Sequence, residues 1–222
     1  MDVTFIVFVL AAYLIGAVPF GLLLGLAKGV DIRKAGSGNI GATNAGRVLG
    51  RKLGIVCFAL DVCKGLGPAL GYGLAAGLIC GAAANVGALV TLKWLAVAVA
   101  AILGHVFPIY LKFQGGKGVA TALGALLGVF PVLSVAALVA GVVWLTVVKR
   151  TAYVSLASIA AALSLPVAAV LAALALGRPM AQWLVFAGVT LLLAGLVVVK
   201  HRSNIRRLRA GEEAKVDWAK RK

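Results

Sequence analysis

The feature that constrains this chain most is a series of long apolar segments with almost no charged residue. The segments 155–176 and 182–199 contain no Asp, Glu, Lys or Arg. Only 13% of the 222 residues are charged, whereas a soluble domain averages about 25%. In lipid every backbone polar group must be paired within the protein, so such segments form helices or closed barrels. Because the apolar runs are continuous rather than alternating, the sequence predicts membrane-spanning helices.

These segments predict an all-α membrane protein, a polytopic bundle of seven transmembrane helices. The predicted spans lie near 3–27, 53–76, 94–111, 118–130, 132–148, 155–176 and 182–199. The fourth is short for a span of about 20 residues, and Pro131 separates it from the fifth. An alternative with six spans treats 118–148 as one kinked helix. We predict a single transmembrane domain over 1–200, followed by a basic cytoplasmic extension over 201–222.

The basic residues favour seven spans and set their orientation. The chain carries 22 Lys and Arg residues against 6 Asp and Glu residues, a formal net charge of +16. With seven spans, all the basic residues except Lys64, Lys93 and Arg178 fall on one side of the membrane. Because Lys and Arg concentrate on the cytoplasmic side, we predict an outer N-terminus and a cytoplasmic C-terminus. This placement predicts membrane lipid and anionic substrates as partners, and no nucleic acid.

The predicted cytoplasmic loop 36–47 has the composition of an oxyanion-binding site. It reads Gly-Ser-Gly-Asn-Ile-Gly-Ala-Thr-Asn-Ala-Gly-Arg. Glycines let backbone N–H groups approach a ligand, hydroxyls and amides add neutral donors, and an arginine fork suits phosphate. The candidate ligands are Ser37, Asn39, Thr43, Asn44 and Arg47. The loop follows a membrane helix, not the strand that a glycine-rich dinucleotide site needs. We therefore predict phosphate binding rather than an ordinary flexible turn.

A second segment, 114–118, opens the helix after the third span with Gln-Gly-Gly-Lys-Gly. Helix N-termini attract anions, so Lys117 is a predicted phosphate ligand, and the alternative is a lysine that extends to the membrane surface. His105, near the end of the preceding span, is predicted to be structural. Within the second span, the three-residue spacing of Asp61 and Lys64 predicts an ion pair that faces the bundle interior.

Two further polar groups lie beside the last two spans. Ser155 and Ser158 begin the sixth span, where a pocket position and simple helix packing are equally open. His201 and Asn204 share a helix face after the seventh span. All the polar clusters outside the second span fall on the predicted cytoplasmic face, which predicts one site for a substrate with two anionic groups. The six acidic residues form no pair suited to a metal, so we predict no metal and no cofactor.

Four motifs together resemble the PlsY family, the acyl-phosphate:glycerol-3-phosphate acyltransferases. They are Gly36-Ser37-Gly38-Asn39-Ile40-Gly41-Ala42-Thr43-Asn44, Lys64-Gly65 with Pro68, Gly104-His105-x-Phe107-Pro108 through Gly115-Gly116-Lys117-Gly118-Val119-Ala120-Thr121, and His201-x-x-Asn204-Ile205-x-Arg207-Leu208. The resemblance implies transfer of a fatty acyl group from acyl phosphate to the 1-hydroxyl of glycerol 3-phosphate. The product would be lysophosphatidic acid, the first acylated intermediate of bacterial phospholipid synthesis. The resemblance also implies a multi-pass protein of the bacterial plasma membrane with a cytoplasmic active site, and the enzyme that makes acyl phosphate as a partner.

The resemblance further implies roles for the site residues. Ser37, Arg47 and Lys117 would hold phosphate groups, Asn39, Thr43, Asn44 and Ser155 would line the pocket, and His201 and Asn204 would lie near the glycerol phosphate. No His-x4-Asp pair is present, since Tyr110 and Arg206 stand five residues after the two histidines. The hydroxyl proton therefore leaves either to the phosphate of the donor or to His201 as catalytic base. The rival function is a membrane transporter of an organic phosphate, whose site is expected near mid-membrane.

Overall fold

The computed structural model describes residues 2–79 and 86–216. Within these residues the regular secondary structure consists of helices joined by loops and turns. Its α-helices are α1 Val3–Gly16, α2 Phe20–Leu26, α3 Ala42–Leu49, α4 Arg51–Ala75, α5 Ala88–Val106, α6 Val119–Gly128, α7 Val132–Thr151, α8 Val154–Ala175, α9 Met180–Lys200 and α10 Arg202–Arg209. Short 3₁₀ turns at Ile32–Lys34 and Ile109–Leu111 follow α2 and α5. The predicted all-α fold is confirmed.

Six segments within the described residues are long and apolar enough to cross a membrane. They are Val3–Leu26, Arg51–Ala75, Ala88–Leu111, Val132–Thr151, Val154–Ala175 and Met180–Lys200. The predicted fourth span is the shorter α6, whose 10 residues rise about 15 Å, half the thickness of the hydrocarbon core. Pro131 separates α6 from α7, so the two do not form one kinked helix. Helix length therefore does not confirm seven spans, and the orientation of the termini stays a prediction.

The described residues form two compact units, of which the first contains residues 2–78 and 93–129. In this unit α4 packs against α1, α2, α3 and α6. The crossing of α4 and α6 is close enough to need glycine, because a Cβ on Gly124 would lie 1.9 Å from the carbonyl oxygen of Val62. This crossing holds the start of α6 in place, and with it the segment 114–118.

The first span is interrupted at Pro19, between α1 and α2. Proline has no N–H and cannot continue the hydrogen bonding of a helix. The carbonyl of Val18, just before the interruption, accepts a hydrogen bond of 2.7 Å from the ammonium group of Lys64 on α4. The helix break thus gives a buried lysine a backbone acceptor.

The second unit contains residues 79, 86–92 and 130–216. In it α8 packs against both α7 and α9. The indole N–H of Trp144 on α7 donates to the hydroxyl of Ser158 at 3.2 Å, and this hydroxyl donates to the Val154 carbonyl at 2.8 Å. Ser158 therefore serves the packing of α7 on α8, which was one of the two predicted roles for the serines of this helix.

Much of the predicted C-terminal extension is built into the second unit. The chain folds back after α10, and the N–H of Val216 donates to the Ala152 carbonyl at 2.8 Å. Glu213 on this returning segment is 8% exposed. The extension therefore contacts the rest of the second unit at Val216, and within it Asn204 donates a hydrogen bond to the buried Glu213. Residues 217–222 lie outside the described residues.

Candidate active site

The loop before α3 is shaped by the side chain of Asn44. Its amide N–H₂ donates to the carbonyls of Ile32 and Ala35 at 2.9 and 3.1 Å, and its Oδ1 accepts from the N–H of Ser37 at 2.8 Å. Gly36 has φ of +60°, and a Cβ there would lie 2.3 Å from Asn44 Oδ1. The glycine and the buried amide therefore fix the loop together.

Asn39 also bonds within the loop. Its Oδ1 accepts from the N–H of Gly41 at 2.8 Å, and Gly41 is the residue that caps α3. This is the local turn that asparagine side chains commonly form with the backbone two residues on. Asn39 and Asn44, both predicted to line a substrate pocket, thus act first on the shape of the loop.

The remaining predicted ligands of this loop have exposed side chains. Ser37, Thr43 and Arg47 are all exposed. Thr43 and Arg47 are four residues apart on α3, so they lie on the same face of that helix. The Asn44 hydrogen bond ties the backbone of Ser37 to the same helix. Two hydroxyl groups and a guanidinium group are thus exposed on a segment whose backbone is fixed by the buried side chain of Asn44.

Lys117 lies on another element of the same unit, immediately before α6. Gly118 caps α6 with φ of +79°, and the helix begins at Val119. The prediction that this segment opens a helix is confirmed. The lysine is half-buried. Its charge adds to the field of the backbone N–H groups at the start of α6, which favours an anion at that point.

Asp61 and Lys64 form the predicted ion pair within α4. Lys64 Nζ lies 2.8 Å from Asp61 Oδ1, and both side chains are almost fully buried. His105, on α5, is 4% exposed, and its Nδ1 lies 3.6 Å from the same carboxylate oxygen. The predicted pairing is confirmed. The predicted structural role of His105 agrees with its burial beside this pair.

The other predicted site residues, Ser155, His201 and Asn204, are buried in the second unit. His201 links α9 to α10, and its Nδ1 lies 2.8 Å from the Val197 carbonyl oxygen. A carbonyl only accepts, so this contact assigns the proton of a neutral imidazole to Nδ1. Nε2 then carries the lone pair that a base would use.

Asn204 is bound by a residue that the sequence analysis did not select. Its amide donates to Glu213 Oε1 at 2.6 Å, and Arg207 Nε donates to Glu213 Oε2 at 2.8 Å. Burial tends to raise the pKa of Glu213, but the hydrogen bonds from Asn204 and Arg207 stabilise the carboxylate and bring the pKa below its usual 4.5. The available signal was that Glu213 is one of only six acidic residues, within a strongly basic C-terminal segment.

The predicted site residues thus fall into two groups. The first unit holds Ser37, Asn39, Thr43, Asn44, Arg47 and Lys117, and the second holds Ser155, His201 and Asn204. Each group combines a buried asparagine, Asn44 or Asn204, with positively charged side chains. The first group is suited to bind phosphate oxygens, and the second combines an imidazole with a carboxylate and a guanidinium.

Known proteins resemble this chain over nearly its whole length. The family model described as glycerol-3-phosphate acyltransferase matches residues 6–211. A glycerol-3-phosphate acyltransferase of Geobacter sulfurreducens is 47% identical over 203 residues, which cover 91% of this chain and 92% of that protein. One from Staphylococcus aureus is 42% identical over 214 residues, 96% of this chain and 98% of that protein. The chain belongs to the glycerol-3-phosphate acyltransferase family.

Solved structures of this acyltransferase family share the fold. The crystal structure of PlsY, an integral membrane glycerol 3-phosphate acyltransferase, has a TM-score of 0.79 in its glycerol 3-phosphate form, at 37% identity. The lysophosphatidic acid form has a TM-score of 0.77 at 36% identity, and each comparison covers 96% of both chains. The resemblance to PlsY is confirmed. The chain is an acyltransferase and a multi-pass integral membrane protein.

Proposed function

We propose that this acyltransferase takes a fatty acyl group from acyl phosphate and attaches it to the 1-hydroxyl of glycerol 3-phosphate. The hydroxyl oxygen forms an ester bond with the acyl carbon, the bond from that carbon to the phosphate oxygen breaks, and inorganic phosphate leaves. The product is lysophosphatidic acid, and the step is the first acylation of bacterial phospholipid synthesis. Support comes from the family membership and from the solved relative described in its lysophosphatidic acid form.

The observation that carries the proposal is the exposed polar face formed by the loop before α3 and by α3 itself. Ser37, Thr43 and Arg47 are exposed. The buried side chain of Asn44 fixes the backbone that carries them, through hydrogen bonds to the loop before α3. A rigid set of donors can stabilise charge on a phosphate or a developing oxyanion without reorganising during the reaction. Acyl phosphate is a mixed anhydride with a good leaving group, so binding and orientation of the two substrates supply most of what the reaction needs.

We assign the roles as follows. Ser37, Arg47 and Lys117 hold phosphate groups, and Thr43 and Ser155 contact the substrates. Asn39 and Asn44 shape the loop that presents these donors, as their hydrogen bonds suggest. His201 and Asn204 act at the glycerol phosphate. The hydroxyl proton leaves either to the departing phosphate, whose second pKa is about 6, or to Nε2 of His201.

The reaction is tested with purified protein, acyl phosphate and glycerol 3-phosphate. We expect release of inorganic phosphate and formation of lysophosphatidic acid in equal amounts. Arg47→Gln should lower kcat/KM by about a hundredfold, since a charged hydrogen bond to phosphate is worth roughly 1.5–3 kcal/mol. Arg51→Gln is the matched control, because Arg51 is also exposed and begins the next helix. Equal losses in both variants, or no product from the wild type, would contradict the proposal.

His201→Ala separates the two proton acceptors. If His201 is the base, this variant loses nearly all turnover while its affinity for both substrates is unchanged. If the departing phosphate takes the proton, the variant keeps measurable turnover. Single-turnover measurements of acyl transfer distinguish the two outcomes.

We further propose that the C-terminus lies in the cytoplasm, at the inner membrane, with α6 completing a seventh crossing. The concentration of Lys and Arg supports this orientation. In a variant without the native cysteines, we expect Gly211→Cys and Lys28→Cys to react with an impermeant thiol reagent only after the cells are opened. Labelling of residue 211 in intact cells would instead support six crossings.

A further inference from the structure

The first unit contains a buried ionic cluster that the proposed reaction does not use. Asp61, Lys64 and His105 are 2%, 4% and 4% exposed. All three lie in membrane-spanning segments, where ionisable side chains are costly and are usually paired or functional. The cluster therefore needs an explanation beyond hydrophobic packing.

Lys64 anchors one end of the cluster. Its ammonium group donates to Val18 at 2.7 Å, contacts Asp61 at 2.8 Å and lies 5.5 Å from the ring centre of Phe20. These contacts join α4 to the interrupted first span. They place the Asp61 carboxylate at a fixed point in the unit.

The opposite end of the cluster reaches the segment that carries Lys117. The Nδ1 of His105 lies 3.6 Å from Asp61, and the carbonyl of His105 accepts from the N–H of Gly116 at 3.1 Å. A Cβ on Gly116 would lie 2.1 Å from Nε2 of His105. The Nε2 edge of the imidazole therefore lies directly against Gly116, the residue before Lys117.

We propose that Asp61 and His105 are positioning residues that set the backbone of residues 115–117 and thereby aim Lys117 and the N–H groups at the start of α6 at the substrate phosphate. The inference rests on the proposed phosphate-binding role of Lys117. The Asp61 carboxylate lies 3.6 Å from Nδ1 on one side of the imidazole, the Nε2 edge of the ring and the carbonyl of His105 hold Gly116 on the other, and Gly116 leads directly into Lys117. A purely structural ion pair would stabilise the bundle without this directed contact.

Hydrogen exchange tests the positioning without relying on activity. In His105→Gln, the amides of the segment 114–118 should exchange at least about tenfold faster than in the wild type, because opening of this segment becomes easier. Thr190→Val is the control, since the hydroxyl of Thr190 is fully buried and bonded within its own helix in the second unit. Unchanged exchange in His105→Gln overturns the proposal, whatever the activity.

Kinetics then connect the positioning to the phosphate. His105→Gln should raise the KM for glycerol 3-phosphate or acyl phosphate by about tenfold, with a smaller change in kcat. The same substitution made in a Lys117→Met background should add little, because residues that act through one another are not additive. Fully independent effects overturn the proposal.

Two further outcomes are informative. If His105→Gln does not fold, the double variant Asp61→Asn/Lys64→Met removes the orienting carboxylate without leaving a buried unpaired charge, and the same two measurements apply. If the wild type transfers no acyl group but the exchange of 114–118 still depends on His105, the positioning holds and the proposed function is wrong.

Discussion

Two asparagines predicted to bind substrate are both buried, but they are held in different ways. Asn44 in the first unit makes its three hydrogen bonds to the backbone of the loop that precedes its own helix, α3. Asn204 in the second unit donates to the carboxylate of Glu213, nine residues further along the chain. The first arrangement has no charged partner. The second depends on an ionised carboxylate that also binds Arg207.

The difference indicates two ways of preparing a polar site. Hydrogen bonds from a neutral side chain to the backbone do not depend on pH, and they break only when the loop changes its conformation. A side chain bonded to a carboxylate responds to protonation and to anything that moves the segment carrying the acid. The loop around Asn44 should therefore behave as a fixed element, and the segment around Asn204 as one that depends on the C-terminal residues.

The largest effect is expected from Asn44→Ala. The substitution removes three hydrogen bonds from a side chain that is 1% exposed, which costs about 3 kcal/mol of unfolding free energy. Because Asn44 joins the loop that carries Ser37 to the helix that carries Arg47, kcat/KM should fall by more than about a hundredfold, an amount consistent with lost preorganisation. Thermal unfolding in detergent and acyl-transfer assays measure the two effects.

Asn39→Ala is the matched control in the same loop, because it removes a single hydrogen bond. Its effect on the unfolding temperature should be clearly smaller. If Asn44→Ala instead weakened substrate binding with an unchanged unfolding temperature, Asn44 would be a direct ligand and the contrast with Asn204 would disappear.

The next largest effect is expected from Glu213→Ala. Asn204 and Arg207 lose a shared partner, and charge-assisted hydrogen bonds are worth about 1.5–3 kcal/mol each, so kcat/KM should fall by roughly ten- to a hundredfold. Glu212→Ala is the control, since Glu212 is the exposed neighbouring acid. Truncation after residue 213 should retain more activity than truncation after residue 210. Higher activity in Glu213→Ala would show that the carboxylate competes with substrate for these groups.

A smaller, pH-dependent effect follows from the lowered pKa of Glu213. The carboxylate is bound more tightly when ionised, so its contribution to stability is complete above its unfolded pKa of about 4.5 and is lost as the pH falls through the lower folded pKa. The difference in unfolding temperature between wild type and Glu213→Gln should therefore shrink as the pH falls below 4.5. The difference between wild type and Asn44→Ala should stay constant over the same range. A parallel decline in both would refute the contrast.

The smallest effect is expected from Asp31→Asn, at the start of the first loop. Asp31 pairs with Arg33 at 2.7 Å, and the hydrogen bond from this guanidinium lowers the pKa of Asp31 to about 2. Because the pair is at the surface, its removal should leave the unfolding temperature and activity at pH 7 within error. The Asp31 carboxylate stays ionised at pH 4. Strong loss of activity in this variant would mean that the loop depends on charge after all.

The sequence predicts the membrane helices well, because apolar runs of adequate length have few other stable forms. It also predicts the Asp61–Lys64 pair, since helical spacing alone places both side chains on one face. The seven-span count stays a prediction, because α6 has only 10 residues and is shorter than a full crossing. The loop's composition indicates an anion site, and the structure shows that two of its amides bond the loop itself.

The partner of Asn204 illustrates what the sequence does not reveal. Composition marks the last residues as a basic extension, and nothing local distinguishes Glu213 from Glu212. Only the fold-back after α10 separates them, since it buries one and leaves the other exposed. A tertiary contact of this kind depends on chain path rather than on spacing within one helix.

The hydrogen bond from Lys64 to the carbonyl before Pro19 makes the N-terminal span specific to this bundle. In an uninterrupted helix of the same length and hydropathy, the backbone carbonyls would be bonded within the helix, and none would be available to Lys64. Replacing residues 3–26 with a generic hydrophobic leader would thus remove the Val18 acceptor and leave the Lys64 ammonium group with the Asp61 carboxylate alone. The interruption at Pro19 and the buried charge on α4 therefore depend on each other.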